Sequence, residues 1–154
     1  MSFEALGLHA SLVQAVADTG YTTPTPVQAQ AIPAAIAGRD LLVSSQTGSG
    51  KTAAFMLPAL NKLANAEETP AGKTAAQEAQ AARAKGERVR FKAAQPKMLV
   101  LTPTRELALQ VSAATEQYTA HMRRLRCVSI LGGMPYPKQM QLLAKNPEIL
   151  VATP

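Results

Sequence analysis

The chain has 154 residues, with 16 Lys and Arg against 10 Asp and Glu, so it carries a formal net charge of +6. That length is about one domain and can bury a core, and the hydrophobic share of 47% is ordinary globular usage. An internal disulfide is excluded by the single Cys127, no run of apolar residues is long enough to cross a bilayer, and the N-terminus lacks a secretory leader pattern. These features predict a protein of a reducing, cytoplasmic compartment; the basic balance suits a polyanionic partner and equally serves solubility.

In chain order, residues 9–19 place Leu12, Val13 and Val16 on one helical face and end at Gly20. Thr25-Pro26 is a strong helix start, because threonine caps and proline tolerates the first helical position. Pro33 is expected to break or restart that helix before Gly38. Residues 40–44 read as a short buried parallel strand, and a helix is predicted over 51–63. Further strands are predicted at 98–102, around Cys127 (residues 127–131) and at 149–152, with helices at about 105–121 and 138–144. Cys127 reads as a buried strand residue. Strand and helix in alternation predict an α/β fold with a parallel sheet flanked by helices.

Residues 64–97 interrupt this rhythm with Ala, Lys and Arg and with no large apolar residue between Leu63 and Val89. Thr74 and Gln77 have capping-box spacing, but a lone helix of about twelve residues with only alanine to bury is marginal. A mobile basic insertion is the expectation. His9 and His121 are too isolated in sequence to ligate a metal and read as surface residues on helices, and the scattered methionines read as core filling.

The residues that carry chemistry begin at Ser45-Gln46-Thr47-Gly48-Ser49-Gly50-Lys51-Thr52. A phosphate chain needs backbone N–H donors converging on it, and glycine lets the backbone curl that tightly. The partial positive charge of a helix N-terminus adds to the same spot. Lys51 would reach the outer phosphates and the Thr52 hydroxyl would bind Mg²⁺. The general phosphate-loop pattern has glycine where this chain has Ser45. Gly-Lys-Thr alone recurs by accident, whereas the six consecutive residues 47–52 between a strand and a helix do not.

Several further blocks surround this loop. Gly20-Tyr21-Thr22-Thr23-Pro24-Thr25-Pro26-Val27-Gln28 lies upstream, with Phe3 before it. Pro103-Thr104-Arg105-Glu106-Leu107-Ala108, Gly132-Gly133 and Thr153-Pro154 follow. With these blocks in this order the sequence resembles the DEAD-box ATP-dependent RNA helicases, most closely the bacterial RhlE-like group. The resemblance implies the first RecA-like P-loop domain, with residues 1–38 as a Q-motif helical region and 39–154 as a partial ATP-binding domain. It assigns ATP binding to Tyr21, Gln28 and residues 45–52, with Lys51 and Thr52 as the catalytic pair and Mg²⁺ held through Thr52. It assigns RNA-backbone binding to Pro103, Thr104, Arg105, Gly132, Gly133, Thr153 and Pro154.

Elementary chemistry supports these roles. The Gln28 amide donates and accepts at once, as adenine's exposed edge requires. Tyr21 could stack on adenine or pack under the loop, and Phe3 should pack against that loop without touching nucleotide. Pro103-Thr104-Arg105 between a strand and a helix suits a nucleic-acid phosphate or a surface salt bridge, and Gly132-Gly133 suits close backbone approach or a plain turn. Backbone-directed binding of this kind would be largely sequence-independent and salt-sensitive. Two rival classes differ in kind. One is a non-enzymatic RNA-binding fragment; the other is a different P-loop enzyme such as a GTPase or small-molecule kinase. Against a GTPase, Asn61-Lys62-Leu63-Ala64 lacks the aspartate of Asn-Lys-x-Asp.

No Asp-Glu-Ala-Asp or Ser-Ala-Thr segment occurs in the sequence. The resemblance places both downstream of Pro154, the Ser-Ala-Thr strand beside that of the phosphate loop and the Asp-Glu-Ala-Asp strand beyond it. The expectation is therefore a phosphate cradle without hydrolytic machinery. The predicted strand 40–44 should then find no partner among the other three, leaving a split sheet.

Overall fold

A computed structural model describes residues 1–68, 94–123 and 125–154, with the isolated positions 77, 81 and 84. A 3-10 turn at Glu4–Leu6 leads into helices α1 (Ala10–Asp18), α2 (Pro26–Ile36) and α3 (Lys51–Glu68). Strand β1 (Met98–Leu101), α4 (Arg105–Tyr118), β2 (Cys127–Ile130), α5 (Tyr136–Leu143) and β3 (Ile149–Ala152) follow. The sheet order is β1-β3-β2, all parallel, with Leu99 and Val128 both opposite Leu150. This is the predicted helix-flanked parallel sheet.

One core joins the N-terminal helices to the sheet. Leu12, Ile32, Met56, Leu57, Leu60, Val111, Ile149 and Val151 are all fully buried in a cluster that also takes in Phe3, Leu6 and Leu8. Each large aliphatic side chain in that cluster contributes about 1.5–3 kcal/mol by burial. Polar threads fasten the same elements. Asn61, buried on α3, accepts the His9 backbone N–H at 2.6 Å and donates to the Gly7 carbonyl. Ser112 of α4 and Ser129 of β2 share a 2.5 Å hydrogen bond. Cys127 is half-buried on β2, and desolvation pushes its thiol pKa up, so it acts as a packed strand residue.

Several expectations need correction. Pro33 does not break α2, which continues to Ile36 and is closed by the Ala37 N–H donating to the Pro33 and Ala35 carbonyls. Missing one N–H costs a single ladder bond there, and Pro58 is likewise carried inside α3. Residues 64–68 belong to α3 rather than to an insertion, because Ala64 packs into the core behind Leu60 and Leu63. The expected basic insertion between residues 69 and 93, with its capping-box helix, lies outside the described residues. His9 is the N-cap of α1, accepting from Ser11 N–H, rather than a residue within a helix. His121 lies in the turn after α4.

Residues 40–44 form no strand, and Leu41, Leu42 and Val43 are exposed. No pairing joins them to β1 among the described residues. Instead a cleft of about 530 Å³ opens there, lined by Leu41, Val43, Phe55, Val100 and Leu101. A strand needs a neighbour about 4.8 Å away for its ladder, and none adjoins this segment. The expectation that this segment pairs with none of the other three strands holds, and the strand assignment fails for that same reason.

His121 Nε2 meets Asp18 Oδ2 at 2.5 Å, tying the end of α1 to the turn after α4. That hydrogen bond, aided by Gln14, holds the Asp18 carboxyl below its usual pKa. Because the folded value is depressed, this contribution is present above the ordinary carboxylate range and is lost as pH falls through the lowered pKa. In His121→Ala the Asp18 titration midpoint, followed by carboxyl-carbon NMR, should move up toward the model-peptide value.

Candidate nucleotide and nucleic-acid site

The phosphate loop is built by glycines at left-handed φ, Gly48 at +79° and Gly50 at +86°. Other residues rarely take this conformation. The Ser49 N–H closes the turn on the Gln46 carbonyl at 3.3 Å, and Ala54 N–H bonds the Gly50 carbonyl to start α3. Lys51 donates from Nζ to the Ser45 carbonyl and, at 2.8 Å, to that of Gln46. Its ammonium is thereby held over the loop's own backbone. The Ser49 hydroxyl is buried without a protein partner. A buried donor in that state is costly unless a ligand meets it. Two left-handed glycines, a loop-held cation and an orphaned hydroxyl fit a bound polyphosphate, and the half-buried Thr52 in the first turn of α3 fits its metal ion.

The Gln28 block converges on this loop from the other side. Thr25 caps α2, with its Oγ1 accepting Gln28 N–H, while Gln28 Oε1 accepts Thr25 N–H at 2.9 Å. The Gln28 Nε2 then donates to the Gly50 carbonyl at 3.1 Å. One buried side chain thus completes a capping box and clamps the loop to α2. An amide has two N–H donors and two lone pairs on its oxygen, so one of each is left for a ligand. Tyr21 is exposed, which sets aside packing beneath the loop. Phe3 is buried in the core with Leu6 and Leu8 and supports the loop only at a distance.

A second group gathers where the three strands end. Thr104 caps α4 by accepting the Leu107 N–H, which points the exposed Arg105 off the carboxyl end of β1. Gly133, at φ +78°, lies after β2, and a Cβ placed there would stand 3.6 Å from the Arg105 guanidinium. Thr153, just past β3, accepts the Gly132 N–H at 2.9 Å, and Thr153 N–H returns to the Ile130 carbonyl. Parallel strands place their binding residues at this edge. Arg105, Gly132, Gly133 and Thr153, far apart in sequence, are therefore neighbours. Pro103, Thr104 and Pro154 flank them and are exposed.

Sequence reasoning missed Asn61, read only for its place in a failed guanine motif. Its signal was a polar residue on the apolar face set by Leu57, Leu60 and Ala64. It also missed the Ser49 hydroxyl, which nothing in the sequence distinguishes from an exposed serine. Among the described residues no cluster of His, Cys, Asp or Glu is placed to hold a metal directly, and no helix is long and apolar enough to cross a membrane.

A parallel sheet with a glycine-rich loop opening α3 and a polar rim at its carboxyl edge has the form of a RecA-like P-loop domain. The DEAD/DEAH box helicase family profile matches residues 25–154, and the chain belongs to that family. It is 40% identical over 99% of its length to the ATP-dependent RNA helicase DeaD of Escherichia coli strain K12, covering 20% of that protein. It is 38% identical to the DEAD-box ATP-dependent RNA helicase RhpA of Helicobacter pylori, covering 25% of it. A crystal structure of a hypothetical ATP-dependent RNA helicase from Sulfolobus tokodaii superposes with a TM-score of 0.68 at 30% identity, over 95% of this chain and 34% of that one. The chain thus spans about a fifth to a quarter of the length of these curated relatives.

Proposed function

We propose that this chain is the ATP-binding front part of an ATP-dependent RNA helicase that remodels short RNA duplexes in the cytoplasm. Residues 1–38 serve as the adenine-reading region and 39–154 as part of the first RecA-like domain. The observation that carries the reading is the Gln28 clamp on the phosphate loop, because it joins a base-reading amide to a phosphate cradle in one unit. Residues 45–52 hold the phosphates, with Lys51 providing charge and Thr52 the hydroxyl for Mg²⁺. Bound Mg-ATP supplies the free energy of phosphoryl transfer, and the metal neutralises the charge on its phosphates. Tyr21, exposed beside the cap of α2, stacks on the base. Arg105, Gly132, Gly133, Thr153 and their flanking prolines grip one RNA strand by its sugar-phosphate backbone, so binding is largely indifferent to sequence and falls with salt.

Adenine selectivity tests this reading. Fluorescent nucleotide titrations should give tighter binding of ATP and ADP than of GTP, and Gln28→Ala should erode the preference by about tenfold, the worth of one bidentate base contact. Equal ATP and GTP affinities in the unmutated protein would sink it.

A further inference from the structure

The backbone clamp leaves open what happens to the bases of the strand it holds. Three residues beyond Gly133 stands Tyr136, 72% exposed, in a chain that has only 3 Tyr, 3 Phe and no Trp. Three residues of backbone reach at most about 11 Å, so Tyr136 stays within that distance of Gly133, beside which Arg105 stands. We propose that Tyr136 is a stacking platform for an unpaired base of the RNA strand whose backbone the Arg105–Gly133–Thr153 rim holds. The inference rests on the RNA-binding reading of that rim and adds to it a contact with a base.

The local chain favours stacking over phosphate capture. Tyr136 sits between Pro135 and Pro137 at the start of α5, so its backbone is restrained on both sides. Two of the first-turn amides are taken and one is missing. Lys138 and Gln139 N–H both donate to the Pro135 carbonyl, and Pro137 has no N–H. Gln139 further donates from Nε2 to the Met134 carbonyl at 2.9 Å, pinning the turn that presents the ring. An anion would find few donors there, whereas a flat base would find a held aromatic face. Met140, one turn along and 37% exposed, continues that apolar face. No residue of α5 is fully buried, and Tyr136 is not part of the core cluster. Aromatic stacking beside a cationic backbone track is how single strands are held without base selection.

The test uses the intact chain with two probes, a single-stranded oligouridylate and a matching abasic ribose-phosphate strand. Tyr136→Ala should weaken oligouridylate binding about fivefold or more. It should leave the abasic strand unaffected, and Tyr136→Phe should bind uridylate like the unmutated chain. Because the chain has no tryptophan, Tyr136→Trp supplies a single indole, excited at the red edge of its absorption apart from the tyrosines, whose emission should be quenched on binding uridylate and not the abasic strand. Uridylate binding unchanged in Tyr136→Ala, or binding without quenching in Tyr136→Trp, overturns the stacking while the backbone clamp stands. Equal losses for both strands in Tyr136→Ala also overturn it, since the ring would then be serving the backbone or a protein surface. Failure of the unmutated chain to bind either strand overturns clamp and platform together.

Discussion

Lys51→Ala is expected to lower affinity for ATP by about ten- to a hundredfold and to nearly abolish RNA-stimulated ATP hydrolysis by the full-length gene product. A charged donor on a phosphate is worth about 1.5–3 kcal/mol, and more where the phosphate carries developing charge in a transition state. The fold should survive, because Lys51 spends its ammonium on the Ser45 and Gln46 carbonyls at the mouth of an exposed loop. Truncation returns those two carbonyls to water and opens no cavity in the core. Circular dichroism melts should therefore be close to those of the unmutated protein while nucleotide titration and turnover collapse. Turnover retained at the unmutated rate would mean that the loop has been misread.

The fold was legible wherever a short segment carries its own instructions. Thr25-Pro26 set the start of α2 because a cap and a proline act within one turn. The apolar runs at Met98, Cys127 and Ile149 set three strands because each pairs with another that this chain itself supplies. Residues 40–44 are also apolar and form no strand, since a strand is a property of the pair and no described strand adjoins them. Boundaries failed for a related reason. Val27, Ile32 and Leu63 announce helices, but whether a helix passes Pro33 or runs on to Glu68 depends on what packs against the next turn. Within the site, residue types pointed to phosphate and to backbone, yet their grouping did not. Arg105 and Gly133 share a neighbourhood only through the sheet order, and Gln28 meets Gly50 only through the packing of α2 on α3.

Gly50→Ala is expected to be the most damaging change among the described glycines, and its comparison with Gly48→Ala isolates the cause. Both glycines sit at positive φ, +79° for Gly48 and +86° for Gly50, so alanine at either carries about 1–2 kcal/mol of backbone strain. At Gly48 the new methyl meets nothing within 4 Å. At Gly50 it falls inside van der Waals distance of Gln28 Nε2 and 3.2 Å from Thr25 Oγ1. Gln28 cannot simply swing away, because its Oε1 holds the Thr25 N–H in the capping box of α2. Either the cap opens, costing about 1 kcal/mol, or the loop moves off α2 and the cradle loses its shape. Gly50→Ala should therefore melt several degrees below Gly48→Ala and bind ATP at least tenfold more weakly. Gln28→Ala placed in the Gly50→Ala background removes the clash, so the double variant should melt higher than the sum of the two single losses predicts. Identical melts for Gly48→Ala and Gly50→Ala, with strictly additive behaviour in the double variant, would show that Gln28 does not clamp the loop.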